Sequence, residues 1–155
     1  MPLCNPSDLK PLLGKGVRLL GLDVGTKTIG MALSDTTLII ATPLETIRRS
    51  RFRDDLQRML TAIEQHGVGG IVIGLPLALD GSDSPRTQSV RQFAKNLAAQ
   101  TDLPVAFWDE RLSTAAVERG MIEGDLSRRR RAQLIDKAAA AYILQGLLDR
   151  LAHQN

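Results

Sequence analysis

Apolar residues recur along the chain in two spacings, one typical of buried strands and one typical of amphipathic helices. Three short runs rich in apolar and β-branched residues come first, and they predict a three-stranded meander over Val17–Asp23, Ile29–Asp35 and Leu38–Ile47. A helical spacing of apolar residues follows over positions 50–66 and ends at Gly67.

The second half of the chain alternates helices with strands. Gly70–Leu75 is apolar on both faces, as in the middle of a parallel sheet, and Leu103–Trp108 is a fifth strand. Helical patterns cover residues 90–98, 112–122 and 132–151. The order β-β-β-α-β-α-β-α-α predicts an α/β protein with a five-stranded mixed sheet flanked by helices, which is the ribonuclease-H-like order. P-loop and Rossmann folds would begin with a strand-loop-helix unit, and their glycine motifs are missing from the sequence.

Length and composition indicate one globular domain. The chain has 155 residues, of which 43% are hydrophobic, enough to bury a core. Prolines and glycines crowd residues 1–16, which predicts a flexible N-terminal lead-in before a single domain at 17–155. The longest apolar runs fall far short of the roughly 20 residues that span a bilayer, so no membrane association is expected. A single cysteine, Cys4, excludes an internal disulfide and favours a reducing, cytoplasmic setting.

Three acidic positions are candidates for chemistry, and each also has an ordinary structural explanation. Asp23 follows an apolar strand between two glycines, so it either caps a hairpin turn or faces a substrate. Asp109 and Glu110 end the last strand, where alternation lets one of them face a shared site, and Glu110 is favoured. Asp136 lies on a mostly apolar helix face, either in a structural salt bridge or facing a metal.

In this fold the carboxylates of Asp23, Glu110 and Asp136 can converge from the first strand, the last strand and the last helix. Clustered like charges repel unless a cation lies between them, and hard oxygen ligands suit Mg²⁺ or Mn²⁺. Two such ions would activate a water and stabilise the leaving oxygen of a phosphodiester. The constellation therefore predicts a metal-dependent nuclease in which these three residues are both catalytic and metal-binding.

Basic and hydroxyl side chains near the acids are candidate substrate contacts. The turn after Asp23 offers backbone N–H groups, the hydroxyl of Thr26 and the ammonium of Lys27 to a phosphate. Arg86 flanks the loop after the fourth strand, which should open on the same sheet edge as Asp23. Arg111 either contacts a phosphate or neutralises the acidic pair beside it.

Two arginine runs have competing interpretations. Arg128, Arg129, Arg130 and Arg131 form either a solvated helix start or a loop that orders on a phosphate backbone, since positive charge is unfavourable at a helix N-terminus. The arginines of segment 48–53 favour a solvated helix start. The few aromatic residues follow core-like patterns, so recognition by backbone shape is expected rather than base stacking.

Four ordered motifs resemble the YqgF family, the pre-16S ribosomal RNA nucleases also called Holliday-junction-resolvase-like proteins. They are GLDVGTKTIGMALSD at 21–35, GLPLALDG at 74–81, DERLSTA at 109–115 and DKAAA at 136–140, and they follow the family's order. The resemblance implies a ribonuclease-H-like fold and a cytoplasmic bacterial enzyme that trims the 5′ end of the 16S rRNA precursor with a metal ion. By position, Asp23, Glu110 and Asp136 match the family's proposed catalytic acids.

Two departures from the family pattern bear on the substrate. Many members carry Lys-Arg where this chain has Lys27-Thr28, which removes one candidate phosphate contact. Related junction resolvases carry a second acid one turn along the last helix, whereas Asp136 is followed there by Ala139. The expected partners are therefore structured nucleic acids, namely precursor rRNA and ribosomal precursor particles, with branched DNA as the alternative. The chain is expected to be a monomer or a weak homodimer.

Two other functional classes stay open on the residues alone. A nucleic-acid-binding factor without catalysis would keep its salt-dependent binding after loss of all three acids. A phosphotransferase of the actin/hexokinase type is suggested by Asp23-x-Gly-Thr, which resembles that superfamily's first phosphate loop. That architecture duplicates its domain to clamp a nucleotide, and 155 residues hold one copy.

Overall fold

The fold is described from a computed structural model over residues 3–112 and 128–153, with the side chains of 128–137 left outside the description. The strands are β1 (Leu3–Cys4), β2 (Arg18–Val24), β3 (Thr28–Ser34), β4 (Ala41–Arg48), β5 (Val68–Leu75) and β6 (Val105–Asp109). The helices are α1 (Pro6–Leu12), α2 (Phe52–His66), α3 (Pro85–Ala98) and α4 (Arg128–Ala152), and a 3-10 turn covers Glu110–Leu112.

The strands form one mixed sheet in the order β1-β6-β5-β2-β3-β4. β2 pairs in parallel with β5 and antiparallel with β3, so it joins the meander to the parallel half of the sheet. Because β4 is antiparallel to β3, it runs in the same direction as β2, β5 and β6. These four strands end at one edge of the sheet, called here the carboxyl edge. The predicted mixed sheet is confirmed.

The two faces of the sheet bury separate apolar clusters. Leu22, Ile29 and Ile71 belong to the cluster that also contains α2 and α3 residues. The other face packs against α4, which approaches so closely that a Cβ on Gly21 would lie 2.8 Å from Leu144 Cβ. Alternation along each strand sends neighbouring residues to opposite faces. The near-continuous apolar runs of β2 and β5 therefore contribute residues to both clusters.

The sheet has six strands rather than the predicted five, because residues 3–12 contribute β1 and α1. β1 pairs in parallel with β6 through Leu3 and Val105, and Leu9 of α1 is fully buried. Pro6 is compatible with this helix because it occupies the first turn, where a missing N–H costs little, whereas Pro11 lies inside the helix and removes one backbone donor. The division into residues 1–16 and 17–155 stays a prediction.

The C-terminal helices are described in part. Leu112 belongs to the 3-10 turn, and the rest of the predicted helix over 112–122 lies outside the described residues. The backbone of Arg128–Arg131 is helical and belongs to α4, while the side chains of that run are outside the description. Across residues 3–112 and 128–153, none of the helices is both long and apolar enough to cross a bilayer.

Asp35 organises the loop between β3 and β4. Its Oδ1 accepts hydrogen bonds from the backbone N–H groups of Ile39 at 2.7 Å and Ile40 at 2.9 Å. Its Oδ2 accepts from the N–H of Thr37 at 3.2 Å and from the Thr37 hydroxyl. The Thr37 hydroxyl and these N–H groups favour the charged form, so they hold the pKa of Asp35 well below its ordinary value.

Replacing Asp35 with alanine is expected to cost about 1 kcal/mol of unfolding free energy at neutral pH, as for a lost capping side chain. Because the pKa of Asp35 is lower in the folded chain, its contribution is present above the unfolded carboxyl pKa of about 3.9 and is lost as the pH falls below it. Urea unfolding of wild type and Asp35→Ala at about pH 7 and about pH 3 checks this. A difference that stays constant between the two pH values would contradict it.

Candidate active site

Asp23 is a buried carboxylate at the carboxyl edge of the central strand, with 4% of its surface exposed. Its neighbours Leu22 and Val24 belong to the α2/α3 cluster, so alternation places Asp23 on the α4 face. Gly30 of β3 pairs with Asp23, and the pairing of Leu22 with Ile73 places Gly74 of β5 on its other side. Glycines therefore occupy both positions beside Asp23 in the sheet.

Glu110 lies on the same face as Asp23. Trp108 belongs to the α4 cluster and pairs with Gly74, and Glu110 follows it by two residues. Glu110 Cγ is 3.1 Å from the position that a Cβ on Gly74 would take. The side chain thus lies over the strand next to Asp23, and neighbouring strands are about 4.8 Å apart. The absence of a side chain at Gly74 leaves room for Ile143 of α4, whose Cδ1 comes still closer to that position, and for Glu110.

Asp109 has a different environment from Glu110. The guanidinium of Arg111 donates to both carboxylate oxygens of Asp109, at 2.6–3.1 Å, and the backbone N–H of Arg111 donates to Oδ1 at 3.0 Å. The Arg111 hydrogen bond, opposed in part by burial, holds the pKa of Asp109 below its ordinary value. Asp109 and Arg111 therefore stabilise the corner at which β6 becomes the 3-10 turn that carries Glu110.

Arg111 also connects this corner to the loop after β5. Its Nη1 donates to the carbonyl oxygen of Leu79 at 3.0 Å and lies 3.5 Å from the position of a Cβ on Gly81, whose φ is +88°. Glycine is therefore suited to this position both by its backbone conformation and by the close guanidinium. The structure shows Arg111 bound to the acid beside it, and its predicted contact with a phosphate stays a prediction.

The predicted substrate contacts Thr26, Lys27 and Arg86 also lie at the carboxyl edge. Arg86, in the first turn of α3, places Nη2 4.0 Å from Asp23 Oδ1. Thr26 and Lys27 are exposed in the turn after β2. That turn is held by the side chain of Arg49, whose Nη1 donates to the carbonyl oxygen of Gly25 at 2.6 Å. The edge thus presents the guanidinium of Arg86 4.0 Å from the buried carboxylate and the exposed Lys27 in the turn that follows it.

The side chains of Asp136, Arg128, Arg129 and Arg130 lie outside the description, so their predicted roles stay predictions. The backbone of α4 does place Asp136 one helical turn before Ala140. The carbonyl oxygen of Ala140 is 3.1 Å from the position of a Cβ on Gly21, so this part of α4 lies against the strand of Asp23. Among the side chains that are described, no three His, Cys, Asp or Glu residues form a group able to hold a metal.

Sequence reasoning missed two features of this site. The sequence analysis did not single out Gly74. A glycine near the end of a buried strand, level with the carboxylate of another strand, could have indicated a place where side chains from other elements approach closely. The Asp109–Arg111 pair was also not identified as a clamp on the Glu110 corner, although a carboxylate two residues before an arginine at a strand end is compatible with such a turn.

Comparison with known proteins identifies similar chains. The model of the family described as RuvX, Holliday junction resolvase, matches residues 17–150. A protein of Paramagnetospirillum magneticum, named as a candidate pre-16S rRNA nuclease, is 57% identical over 149 residues, which cover 96% of each chain. A protein of the same name from Zymomonas mobilis is 62% identical over 135 residues, covering 87% of this chain and 82% of that protein.

A solved structure shows the same fold at low sequence identity. RuvC of T. thermophilus, in complex with a Holliday junction substrate, superposes with a TM-score of 0.56 at 15% identity. The match covers 90% of this chain and 98% of RuvC. The predicted ribonuclease-H-like fold class is therefore confirmed, and so is the resemblance carried by the four motifs.

Proposed function

From the premise that the chain belongs to the RuvX family of Holliday junction resolvases, we propose that it is a metal-dependent nuclease that hydrolyses phosphodiester bonds in structured nucleic acid. Its proposed substrate is the 5′ end of the 16S rRNA precursor, within ribosomal precursor particles in the cytoplasm. The relatives that share 57% and 62% identity carry names of that activity. Branched DNA is the second candidate substrate, favoured by the family's description and by the fold shared with RuvC.

One observation carries the proposal: Asp23 and Glu110 occupy one face of the sheet at its carboxyl edge, with Gly74 between them. Turn capping would explain an exposed Asp23, but it does not explain a carboxylate with 4% exposure in the middle of the sheet. Burying a negative charge is costly unless other charges compensate it. Arg86 supplies one compensating charge at 4.0 Å, and a bound cation would add to it.

Mg²⁺ or Mn²⁺ fits the donor chemistry of this edge, because carboxylate oxygens are the ligands that these hard cations prefer. Asp23 and Glu110 would hold the ion from the sheet, and Asp136 is proposed to complete the set from α4. When bound, the ion supplies a water of lowered pKa and positive charge for the developing phosphate charge.

The chain's own residues have distinct proposed roles around this ion. Asp23 would fix its position from β2 and Glu110 from the 3-10 turn that follows β6, which keeps the reacting groups in a constant geometry. Arg86, whose guanidinium is half exposed and 4.0 Å from Asp23, orients the scissile phosphate beside the carboxylate. Thr26, Lys27, Arg128, Arg129 and Arg130 bind flanking phosphates, and Arg111 does so in addition to its hold on Asp109.

A cleavage assay tests the proposal directly. The purified chain is incubated with 5′-extended 16S rRNA precursor and, in parallel, with a four-way DNA junction, each with Mg²⁺, Mn²⁺ or a chelator. Cutting of the precursor that stops with the chelator is expected. Cutting of the junction alone would replace the first substrate with the second, and cutting of neither would contradict the proposal.

Glu110→Gln is expected to lower the cleavage rate by about 10²-fold or more, because it removes a carboxylate from the proposed metal site. Asp109→Asn is the matched control: it removes the neighbouring charge, bound to Arg111, and should lower the rate by about 10-fold at most. Single-turnover cleavage of the precursor measures both rates. A larger loss in Asp109→Asn than in Glu110→Gln would assign the site to the other acid.

A further inference from the structure

Four exposed cations belong to two neighbouring segments at the carboxyl edge, the turn between β2 and β3 and the connection from the end of β4 to the first turn of α2. They are the side chains of Lys27, Arg48, Arg51 and Arg53, called here the basic edge. Arg48 ends β4 and pairs with Thr28, the first residue of β3. The backbone N–H of Arg49 donates to the carbonyl oxygen of Lys27 at 2.9 Å. Segment 48–53 is therefore attached to the turn that follows the strand of Asp23.

Arg48 is on the same face of the sheet as Asp23. Ile47 is fully buried in the α2/α3 cluster, so alternation sends Arg48 to the α4 face. Across the sheet, Thr46 of β4 pairs with Gly30 of β3, which pairs with Asp23. Two strand spacings separate Thr46 from Asp23, and Arg48 is two residues further along β4, so the Cα of Arg48 lies about 12 Å from that of Asp23.

Three other arginines of the protein are paired with carboxylates, whereas the cations of the basic edge are not. Arg58, Arg91 and Arg111 form ion pairs with Glu45, Asp83 and Asp109 at 3.4, 2.8 and 2.6 Å. Over residues 3–112 and the described side chains of α4, no ion pair involves a member of the basic edge. Cations that the fold leaves uncompensated and exposed are available to an external anion.

The position of two of these cations opposes local helix stability. Arg51 is the N-cap residue of α2 and its side chain makes no capping hydrogen bond, and Arg53 lies in the first turn. Positive charge at a helix N-terminus is unfavourable. Asp55, in the same turn, is 2% exposed and its carboxylate accepts from the backbone N–H of Ser50 at 3.1 Å. That acid stabilises the helix start and does not extend into solvent beside the arginines. Asp54, in the same turn, is exposed and offsets part of the charge of Arg53.

The segment is also rigidly held, which favours binding over mere solvation. Arg49 donates through Nη1 to the carbonyl oxygen of Gly25 at 2.6 Å, and its guanidinium lies 5.5 Å from the ring centre of Phe93. A pre-ordered surface loses less conformational entropy when it binds a ligand. The interpretation of segment 48–53 as a plain solvated helix start does not account for this anchoring.

We propose that the basic edge binds the phosphate backbone of a double-helical arm of the substrate, on the β4 side of the cleavage centre. The orientation of this arm toward Asp23 rests on the proposed nuclease function. A sugar-phosphate backbone fits because four cations on an open edge contact charge without a pocket for a base. RNA and DNA duplexes share this chemistry, and the test distinguishes them.

The test measures binding of a short RNA duplex, and of a DNA duplex of the same sequence, over a range of salt concentrations. Both proteins carry Asp23→Asn so that the probe stays intact, and one also carries Arg48→Gln, Arg51→Gln and Arg53→Gln. Removal of three phosphate contacts should reduce the slope of log K against log salt by about 2–3 and weaken binding roughly 10-fold or more. The probe with the larger loss identifies the preferred duplex.

A matched triple variant controls for net charge. Lys15→Gln, Arg18→Gln and Lys95→Gln remove the same charge from the opposite edge of the sheet, where β2 begins and α3 ends. Its slope and affinity should stay within about twofold of the parent. Equal losses in the two triple variants, an unchanged slope in the Arg48/Arg51/Arg53 variant, or no binding by the parent to either duplex would overturn the inference. Melting temperatures confirm that each variant is folded.

Failure of this inference can be told from failure of the proposed function. If the wild type cuts the precursor and the Arg48/Arg51/Arg53 variant binds like its parent, the basic edge is wrong and the nuclease proposal stands. If the wild type cuts no substrate and the same variant loses binding, the basic edge stands as a nucleic-acid surface and the nuclease proposal fails.

Discussion

Asp23→Asn is expected to reduce the cleavage rate by about 10³-fold or more while leaving the protein folded. Asparagine has nearly the same shape, so the buried position is still filled, but the negative charge that would hold Mg²⁺ or Mn²⁺ is lost. Loss of several kcal/mol of metal-derived stabilisation in the transition state corresponds to a rate factor of this size. Single-turnover cleavage of the rRNA precursor at saturating protein measures it.

A thermal measurement separates the metal role of Asp23 from a structural one. Mn²⁺ should raise the melting temperature of the wild type, because a ligand that binds the folded chain stabilises it, and should leave that of Asp23→Asn unchanged. Without metal, the variant should be at least as stable as the wild type, since it no longer buries a charge. Glu64→Gln removes one exposed acid far from the site and serves as the control. Equal cleavage by wild type and Asp23→Asn would remove Asp23 from the site.

Gly21→Ala is expected to lower the free energy of unfolding by about 2 kcal/mol and to impair cleavage as well. The new Cβ would lie 2.8 Å from Leu144 Cβ and 3.1 Å from the carbonyl oxygen of Ala140. Neither atom can move by a rotamer change, so α4 itself must shift away from β2, as in other overpacked cores. Because α4 carries Asp136, the shift also alters the proposed metal site. Urea unfolding and the cleavage assay measure the two effects.

Gly14→Ala is the matched control for this substitution. A Cβ on Gly14 would lie 3.8 Å from Val17 Cγ1, an ordinary contact, and the residue does not have a positive φ. Its stability should stay within about 0.5 kcal/mol of the wild type. Equal stability of Gly21→Ala and Gly14→Ala would contradict the conclusion that α4 packs too closely on β2 to admit a Cβ at position 21.

The contacts of Arg111 at the end of β6 show how much of this site the residue pattern predicts. Alternation from Trp108 onward favours Glu110 over Asp109 for the face that carries Asp23, and the structure places Glu110 over Gly74. Arg111 binds Asp109 two residues away, but its hydrogen bond to Leu79 depends on a loop at a separation of 32 residues. Local patterns contain no information about such a contact, because it arises only when the two segments are packed together.

In the N-terminal segment, tertiary packing overrides the local residue pattern. Its prolines favour loop structure in isolation, yet Pro6 begins a helix whose Leu9 is fully buried against the α4 face. Burial of apolar surface by tertiary packing stabilises elements that local propensity does not favour. The unpredicted strand β1 has the same origin, since a strand of two residues exists only by pairing with a neighbour, here β6.

The sequence alone determined the order of strands and helices from β2 to β6, the mixed sheet and the family, because alternation, helical periodicity and ordered motifs are properties of contiguous residues. It also determined that acids stand at strand ends. Only the tertiary structure decided which side chains share a face beside Asp23, that glycines flank this carboxylate, and that the cations of segment 48–53 lie at the same edge. These relations come from strand register and helix packing, which join residues far apart in the chain.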